Sequence, residues 1–458
     1  MHFIHDPYQP GETIAAITTP QGEGGVAIVR ISGDEAFQVA DRVFSGDVPS
    51  YESHTVHYGT IRSEADAKID DVLLIAMKAP KTYTGEDTIE INCHGGSLIT
   101  KRVLERILSA GARQARPGEF TFKAFINGKI DLAQAEAVQE LIGAKNEKAL
   151  DIAKDQLQGT LSNLVSQFQR QLSHQAAILE AWVDFPEEGL EFASFQEVVA
   201  ELEAVAGQME KLKSTFYDGK IIHDGISLCL AGAPNVGKSS LMNALLDTER
   251  AIVSETPGTT RDLIEDHLRL NGLNFKLIDT AGIRSSKEEV EREGIRRTHL
   301  ALEKADLILF VLDMSRDLNP EEESLLAQVP KENTLIVWNK EDIAKNPPQA
   351  LPFLHVVTLS AKEKKGLEGL HEEIDKVIWK KGPPNKEEVL ITKVRHYESL
   401  QGAIVSCRAV AQGLKENQSP EFLAFEMRQS LNWLGKILGT NVTEDILSEI
   451  FSTFCIGK

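Results

Sequence analysis

Cysteine is scarce in this chain: Cys93, Cys229, Cys407 and Cys455 are the only four in 458 residues, and their spacing pairs none of them. That excludes a disulfide framework or a cysteine-rich zinc site and fits a reducing compartment. Aromatic residues make up only 6% of the chain, and no apolar run is long enough to cross a bilayer, so no membrane association is expected. A basic surplus is also missing, with 49 Lys and Arg against 69 Asp and Glu, a net charge of −20. So acidic a molecule repels polyanions as a whole, and nucleic acid must dock locally or through a partner. Low-complexity tracts, repeats and basic tails are absent as well. The start Met1-His2-Phe3-Ile4-His5-Asp6-Pro7 has neither a basic n-region nor an apolar h-region, which predicts a cytoplasmic location.

What is present divides by pattern, and the length suggests about three domains. Up to about residue 127, short β-like runs such as Gly24 to Ile31, Asp71 to Met77 and Thr88 to Ile91 alternate with glycine turns, and Ser97 to Gly111 has helical spacing. This predicts an α+β domain over 1–127. From 128 to 218 long amphipathic helices follow, with Leu150, Leu157, Leu161, Leu164, Phe168 and Leu172 on one stripe. Residues 219–380 alternate apolar strands with helices, as an α/β nucleotide domain does. After the break Lys381-Gly382-Pro383-Pro384-Asn385, helical spacing resumes to the end. Neither helical block closes a core alone. The two are therefore expected to pair, 128–218 with 381–458, around an inserted nucleotide domain.

Inside that domain lies a complete phosphate-binding loop, Gly232-Ala233-Pro234-Asn235-Val236-Gly237-Lys238-Ser239, preceded by a strand-like run and followed from Ser240 by a helix-like one. Its backbone N–H groups turn onto phosphates, Lys238 neutralises β- and γ-phosphate charge, and Ser239 offers a hydroxyl to Mg²⁺. Asp279-Thr280-Ala281-Gly282 follows a strand-like run, where an Asp holds the metal's outer shell and a Gly N–H senses the γ-phosphate. Pro257-Gly258-Thr259-Thr260 is a polar loop carrying a threonine suited to Mg²⁺. Asn339-Lys340-Glu341-Asp342 presents Asp342 to the N1–H and 2-amino donors of guanine, which adenine lacks, and Ser360-Ala361-Lys362 lines the base. Four motifs in this order point to GTP. The position after Gly282 is Ile283, an apolar side chain that cannot orient water. The acidic run Glu288 to Glu293 is a candidate for that task or simply a solvated helix face. Asn235 is a candidate monovalent-cation ligand or simply a turn residue.

Together with Thr84-Gly85-Glu86-Asp87, His94-Gly95-Gly96, Arg116-Pro117-Gly118-Glu119-Phe120, Leu132-Ala133-Gln134-Ala135-Glu136-Ala137 and the tail Phe454-Cys455-Ile456-Gly457-Lys458, these motifs closely resemble the MnmE (TrmE) family of tRNA-modification GTPases over essentially the whole chain. The resemblance implies a homodimer with a folate-binding N-terminal domain and a helical domain split by the GTPase domain. It also implies a heterotetramer with MnmG (GidA), which brings FAD and NADH, and wobble-uridine chemistry on tRNA that uses 5-formyl-tetrahydrofolate or a related one-carbon folate. By the same resemblance, Asn235, Ser254, Thr256 and Thr259 hold K⁺, Ser239 and Thr260 hold Mg²⁺, and Glu291 is the catalytic glutamate that orients water. The nucleotide contacts extend over Asn235 to Ser240, Ser254, Glu255, Thr256, Pro257, Gly258, Thr259 and Thr260, with Asp279 to Gly282, Asn339, Lys340, Asp342 and Ser360 to Lys362. Arg30, Glu90, Lys129 and Lys458 match the folate pattern, although the residues alone also allow a solvated strand end for Arg30 and Glu90. Cys455 matches the family's tail cysteine but has no neighbouring base. Pro257 stands where relatives often carry Ala. Two other readings stay open from sequence: a ribosome-assembly or translation GTPase that does no covalent RNA chemistry, and a dimerising regulatory GTPase with a purely structural N-terminal domain.

Overall fold

The computed structural model describes residues 9–20, 22–184, 195–248, 267–278, 302, 304–379, 382–385 and 388–457. They form two compact units. One comprises Met1–Ile142, Ala153–Glu210 and Glu398–Lys458; the other comprises Gly143–Ile152 and Lys211–Tyr397 and so interrupts the first in sequence.

The first unit is built on strands β1 (Ile14–Ile17), β2 (Gly24–Ser32), β3 (Thr55–Arg62), β4 (Lys68–Met77), β5 (Thr88–Gly95) and β6 (Arg113–Gln114). They lie in the order β3-β4-β5-β2-β1-β6, antiparallel except for β1 with β6. Period-two alternation turns Val29, Ile31, Ile89, Ile91, Leu74 and Ala76 to one face, where Val103 and Ile107 of the helix Ser97–Ser109 cover them. The opposite face carries Arg30 and Glu90.

Helices make up the rest of this unit. The helix Pro420–Leu438 shows why these boundaries arise: the Ser419 hydroxyl accepts from the N–H of Phe422, Pro420 sits in the first turn, and Gly439 takes φ +89° to stop the helix. Its buried residues Leu423, Met427, Leu434 and Ile437 follow three- and four-residue steps, and the helix packs against Thr160–Asp184. The expected stripe holds for Leu161, Phe168 and Leu172, which are fully buried, but Leu150 is 44% exposed. In the helix Glu147–Leu157, which begins in the second unit, the buried alanines are Ala149 and Ala153, one turn apart on another face.

The second unit contains β7 (Ile226–Ala231), β8 (His267–Leu270), β9 (Leu273–Ile278), β10 (Leu307–Asp313), β11 (Thr334–Asn339) and β12 (His355–Thr358), in the order β12-β11-β10-β7-β9-β8. All pairs are parallel except β8 with β9. Parallel strands are covered on both faces, and β10 is buried at every position. Leu228, Leu309 and Val337 enter one core, while Cys229, Phe310 and Ile336 enter the other. The architecture is therefore the multidomain layout expected: an α+β domain, a helical domain and an inserted α/β domain. No helix among the described residues is long and apolar enough to cross a membrane.

Candidate functional sites

In the α/β unit the chemistry gathers where the parallel strands end, as open α/β sheets require. The loop after β7 runs into the helix Lys238–Thr248 through Gly232 at φ +134°, Asn235 at φ +63° and Gly237 at φ +101°. A side chain at Gly232 would strike the carbonyl of Val311, and one at Gly237 would strike Nδ2 of Asn339. Both positions thus require glycine for the path of the backbone and for the space around it. Nζ of Lys238 donates to the carbonyls of Gly232 (2.6 Å) and Ala233 (2.9 Å), which curls the side chain around the loop. Burial pushes its pKa down from the usual lysine value, and Glu321 opposes that shift. Ser239 and Ser240 are exposed in the first turn of the helix.

The loops after β11 and β12 are bolted to this loop. Nδ2 of Asn339 donates to the carbonyl of Val236 (2.9 Å), and its Oδ1 accepts from the N–H of Ala361 (3.0 Å). Nζ of Lys340 donates to the carbonyl of Asn235 (2.8 Å) and to Oδ2 of Asp313 (2.6 Å). Burial alone would raise the pKa of Asp313, but Lys340 and the hydroxyl and N–H of Ser315 outweigh it and hold the carboxyl below its ordinary value. Lys340 itself adopts φ +67°, and Ser360 donates its hydroxyl to Oδ1 of Asp342 (2.6 Å), which fixes that carboxylate. Asn235, Val236, Gly237, Lys238, Asn339, Lys340, Asp342, Ser360 and Ala361 are thus brought together, and Lys362 follows on the same loop. Asp313 was missed in the sequence, though a polar residue ending the apolar run Leu307 to Leu312 was a signal. Ser254, Glu255, Thr256, Pro257, Gly258, Thr259, Thr260, Asp279, Thr280, Ala281, Gly282 and Glu291 lie outside the described residues.

A second cluster lies on the outer face of the antiparallel sheet. Register places Arg30 of β2 opposite Glu90 of β5, and both Nε and Nη2 of Arg30 reach Oε1 of Glu90 at 2.8 Å. Each side chain is only 18% exposed, so the pair is no solvated strand end. The guanidinium also lies 5.7 Å from the ring centre of Tyr83 and 5.5 Å from that of Phe120. Burial raises the pKa of Tyr83, whose hydroxyl pairs with Thr121 at 2.9 Å. Oε2 of Glu90 has no partner among the described residues. Neither Tyr83 nor Phe120 was singled out as a ring beside Arg30, because only the folded register brings them there.

The turn that carries Tyr83 is itself anchored. The Thr84 hydroxyl pairs with that of Ser32 (2.7 Å), Asp87 accepts from the N–H of Ala79 (2.8 Å), and Glu86 accepts from the fully buried Lys123 (2.5 Å). Lys129 donates to the carbonyl of Pro80 (2.9 Å) and so lies along the same turn. At the tail, Phe454 is buried with Leu132, Ala135 and Phe451, and Ile456 bridges to Pro117. A side chain at Gly457 would strike the carbonyl of Ile17, so the tail runs against β1. Lys458 lies outside the described residues, and Cys455 is exposed.

Comparison with known proteins identifies the family. The family described as the GTP-binding protein TrmE N-terminus matches residues 13–129, and the MnmE helical domain matches residues 132–455. The tRNA modification GTPase MnmE of Protochlamydia amoebophila is 63% identical over the full length of both chains. Its namesakes from Chlamydia abortus and Alkaliphilus oremlandii are 43% and 41% identical, each over 98% of this chain and 99% of theirs. The chain belongs to the MnmE family, whose curated members are named tRNA modification GTPases.

Proposed function

We propose that this chain is a tRNA modification GTPase: the GTP-hydrolysing subunit of a cytoplasmic complex that adds an aminomethyl or carboxymethylaminomethyl group to C5 of the wobble uridine, position 34. The observation that carries this reading is the bolt from Asn339 and Lys340 to the carbonyls of Val236 and Asn235, which couples base selection directly to the phosphate loop. The alternative of a ribosome-assembly switch lacks a basic appendage for RNA.

The residues present fit the implied ions and nucleotide. The Ser239 hydroxyl and the Asn235 side-chain oxygen have no protein partner among the described residues and stand at the loop's edge, as ligands for Mg²⁺ and K⁺ must. Thr260 would join Ser239 on Mg²⁺, and Ser254, Thr256 and Thr259 would join Asn235 on K⁺. When bound, these ions supply positive charge where the transferring phosphoryl group gains negative charge. The chain's own part is to hold the phosphates on loop N–H groups and Lys238, to read guanine with Asp342, and to orient the attacking water with Glu291.

The outer face of the N-terminal sheet fits a reduced folate such as 5-formyl-tetrahydrofolate. Glu90 offers Oε2 to the donor edge of a pterin, Arg30 holds that carboxylate in place, and Lys129 and Lys458 suit the anionic tail. In this reading the chain dimerises and works with MnmG, which carries FAD and NADH.

The test is equilibrium dialysis of 5-formyl-tetrahydrofolate against the full chain and Glu90→Gln, alongside GTP turnover in potassium and in sodium at matched ionic strength. Saturable folate binding that weakens about tenfold in the variant, with turnover faster in potassium, supports the reading. Folate binding that is absent or unchanged in the variant removes the donor site, and turnover indifferent to the cation removes the ion.

A further inference from the structure

Behind the Arg30–Glu90 pair, three segments far apart in the chain meet at one cation. Lys123 is fully buried, and its Nζ donates to Oε2 of Glu86 (2.5 Å) and to the carbonyl of Glu12 (2.6 Å). The Glu86 side chain is itself only 10% exposed. The helix Glu119–Ile126, which carries Lys123, grips the turn 82–87 at two further points. Thr121, fully buried, pairs with the Tyr83 hydroxyl at 2.9 Å, and Nδ2 of Asn127, the C-cap, donates to the carbonyl of Thr84 (2.8 Å). Phe120, on the same helix, and Tyr83, on the turn, each bring a ring to the Arg30 guanidinium. The helix and the turn therefore supply one ring apiece, and the Lys123–Glu86 pair sets how the two segments meet.

A buried ion pair adds little stability over an apolar pair of the same volume, because desolvating two charges offsets most of their attraction. What it adds is direction. An ammonium already tied to the Glu12 carbonyl fixes where the Glu86 carboxylate must lie, and so fixes the turn that carries Tyr83. Arg30, beside that ring, spends both Nε and Nη2 on Oε1 of Glu90, which leaves Oε2 of Glu90 open to a ligand. We propose that Lys123 and Glu86 are positioning residues for ligand binding at the Arg30–Glu90 site: they hold Tyr83 against Arg30, and Arg30 aims Glu90. Lys123, wholly buried, acts without touching the ligand. The inference rests on the reading of this site as one for a reduced folate, and it names the part of the chain that sets its affinity.

The test is equilibrium dialysis of 5-formyl-tetrahydrofolate against the full chain and its variants, with thermal melting and hydrogen exchange of each ligand-free protein. Lys123→Met alone strands the Glu86 carboxylate in the interior and should lower the melting temperature. Lys123→Met combined with Glu86→Leu removes both charges, should melt within about 5 °C of the parent, and keeps the test decisive if the single variant does not fold. That double variant should nevertheless bind folate about tenfold more weakly. Its N–H groups at residues 83–87 should exchange faster than the parent's, a change visible without any ligand. Tyr83→Leu should weaken folate binding by a similar factor, and adding it to the double variant should cost little more, because the ion pair acts through the ring. The proposal alone is overturned if the parent binds folate and the folded double variant binds it within about threefold as well. Unchanged exchange at 83–87, or losses that simply add in the triple variant, overturn it too. A parent that binds no folate overturns the folate reading and this inference with it.

Discussion

The two six-stranded sheets of this molecule present chemistry in different ways. In the parallel sheet, the strands deliver loops to one edge, and the working groups are largely backbone N–H and carbonyl groups held by Asn339 and Lys340. In the antiparallel sheet, the candidate groups are side chains in mid-strand, and Arg30 meets Glu90 across 60 residues only because β2 and β5 pair in one register. A loop site is written in contiguous residues and tolerates distant change. A face site is written in register, where a slip of one residue would turn both side chains to the core.

The largest effect should come from the loop. Lys238→Ala removes the half-buried cation of the phosphate loop and should lower the turnover number for GTP by on the order of 10²–10³, measured by phosphate release. Turnover within about threefold of the parent would mean that the phosphates sit elsewhere. Gly237→Ala adds a methyl at φ +101° against Asn339 and should cost about 1–3 kcal/mol. The loss should appear in both nucleotide affinity and melting temperature, whereas an effect on melting alone would separate the bolt from binding.

On the face site, Arg30→Met leaves Glu90 partly buried without its cation. Because both groups are somewhat exposed, a loss of about 1–2 kcal/mol in urea unfolding is expected, with GTP turnover unchanged. A matching fall in turnover would contradict the separation of the two clusters. The smallest effect concerns Asp313. Its folded pKa lies below the unfolded value, so its contribution is present above the unfolded carboxylate pKa and fades as pH falls through the lowered folded one. Melting profiles of the parent and Asp313→Asn should therefore differ at neutral pH and converge in acid, and a constant offset would deny the linkage.

How much of this was legible follows the same division. The strands β7, β9, β11 and β12, and the loops after β7, β11 and β12, were readable because short apolar-rich runs end in glycine or polar motifs. Thr55–Arg62 was not legible as a strand, since Val56 and Tyr58 point outward, Gly59 interrupts it, and its inward residues are few. Leu150 misled the helical stripe because alanines can bury a helix face as effectively as leucine when the neighbour is close. Arg30 and Glu90 were singled out through the resemblance alone. Nothing local in the sequence distinguishes them from a surface pair, and the rings of Tyr83 and Phe120 that enclose Arg30 are supplied by segments far away in the chain.

The most direct test of the account is the affinity of the full chain for GTP, ATP and XTP, compared with Asp342→Asn. Asp342, held by the Ser360 hydroxyl, should make GTP the preferred nucleotide. Its replacement should weaken GTP by about 10- to 100-fold and favour XTP, whose C2 carbonyl accepts from the new amide. Equal affinity for GTP and ATP in the parent, or GTP selectivity unchanged in the variant, would contradict a guanine site at the ends of these strands.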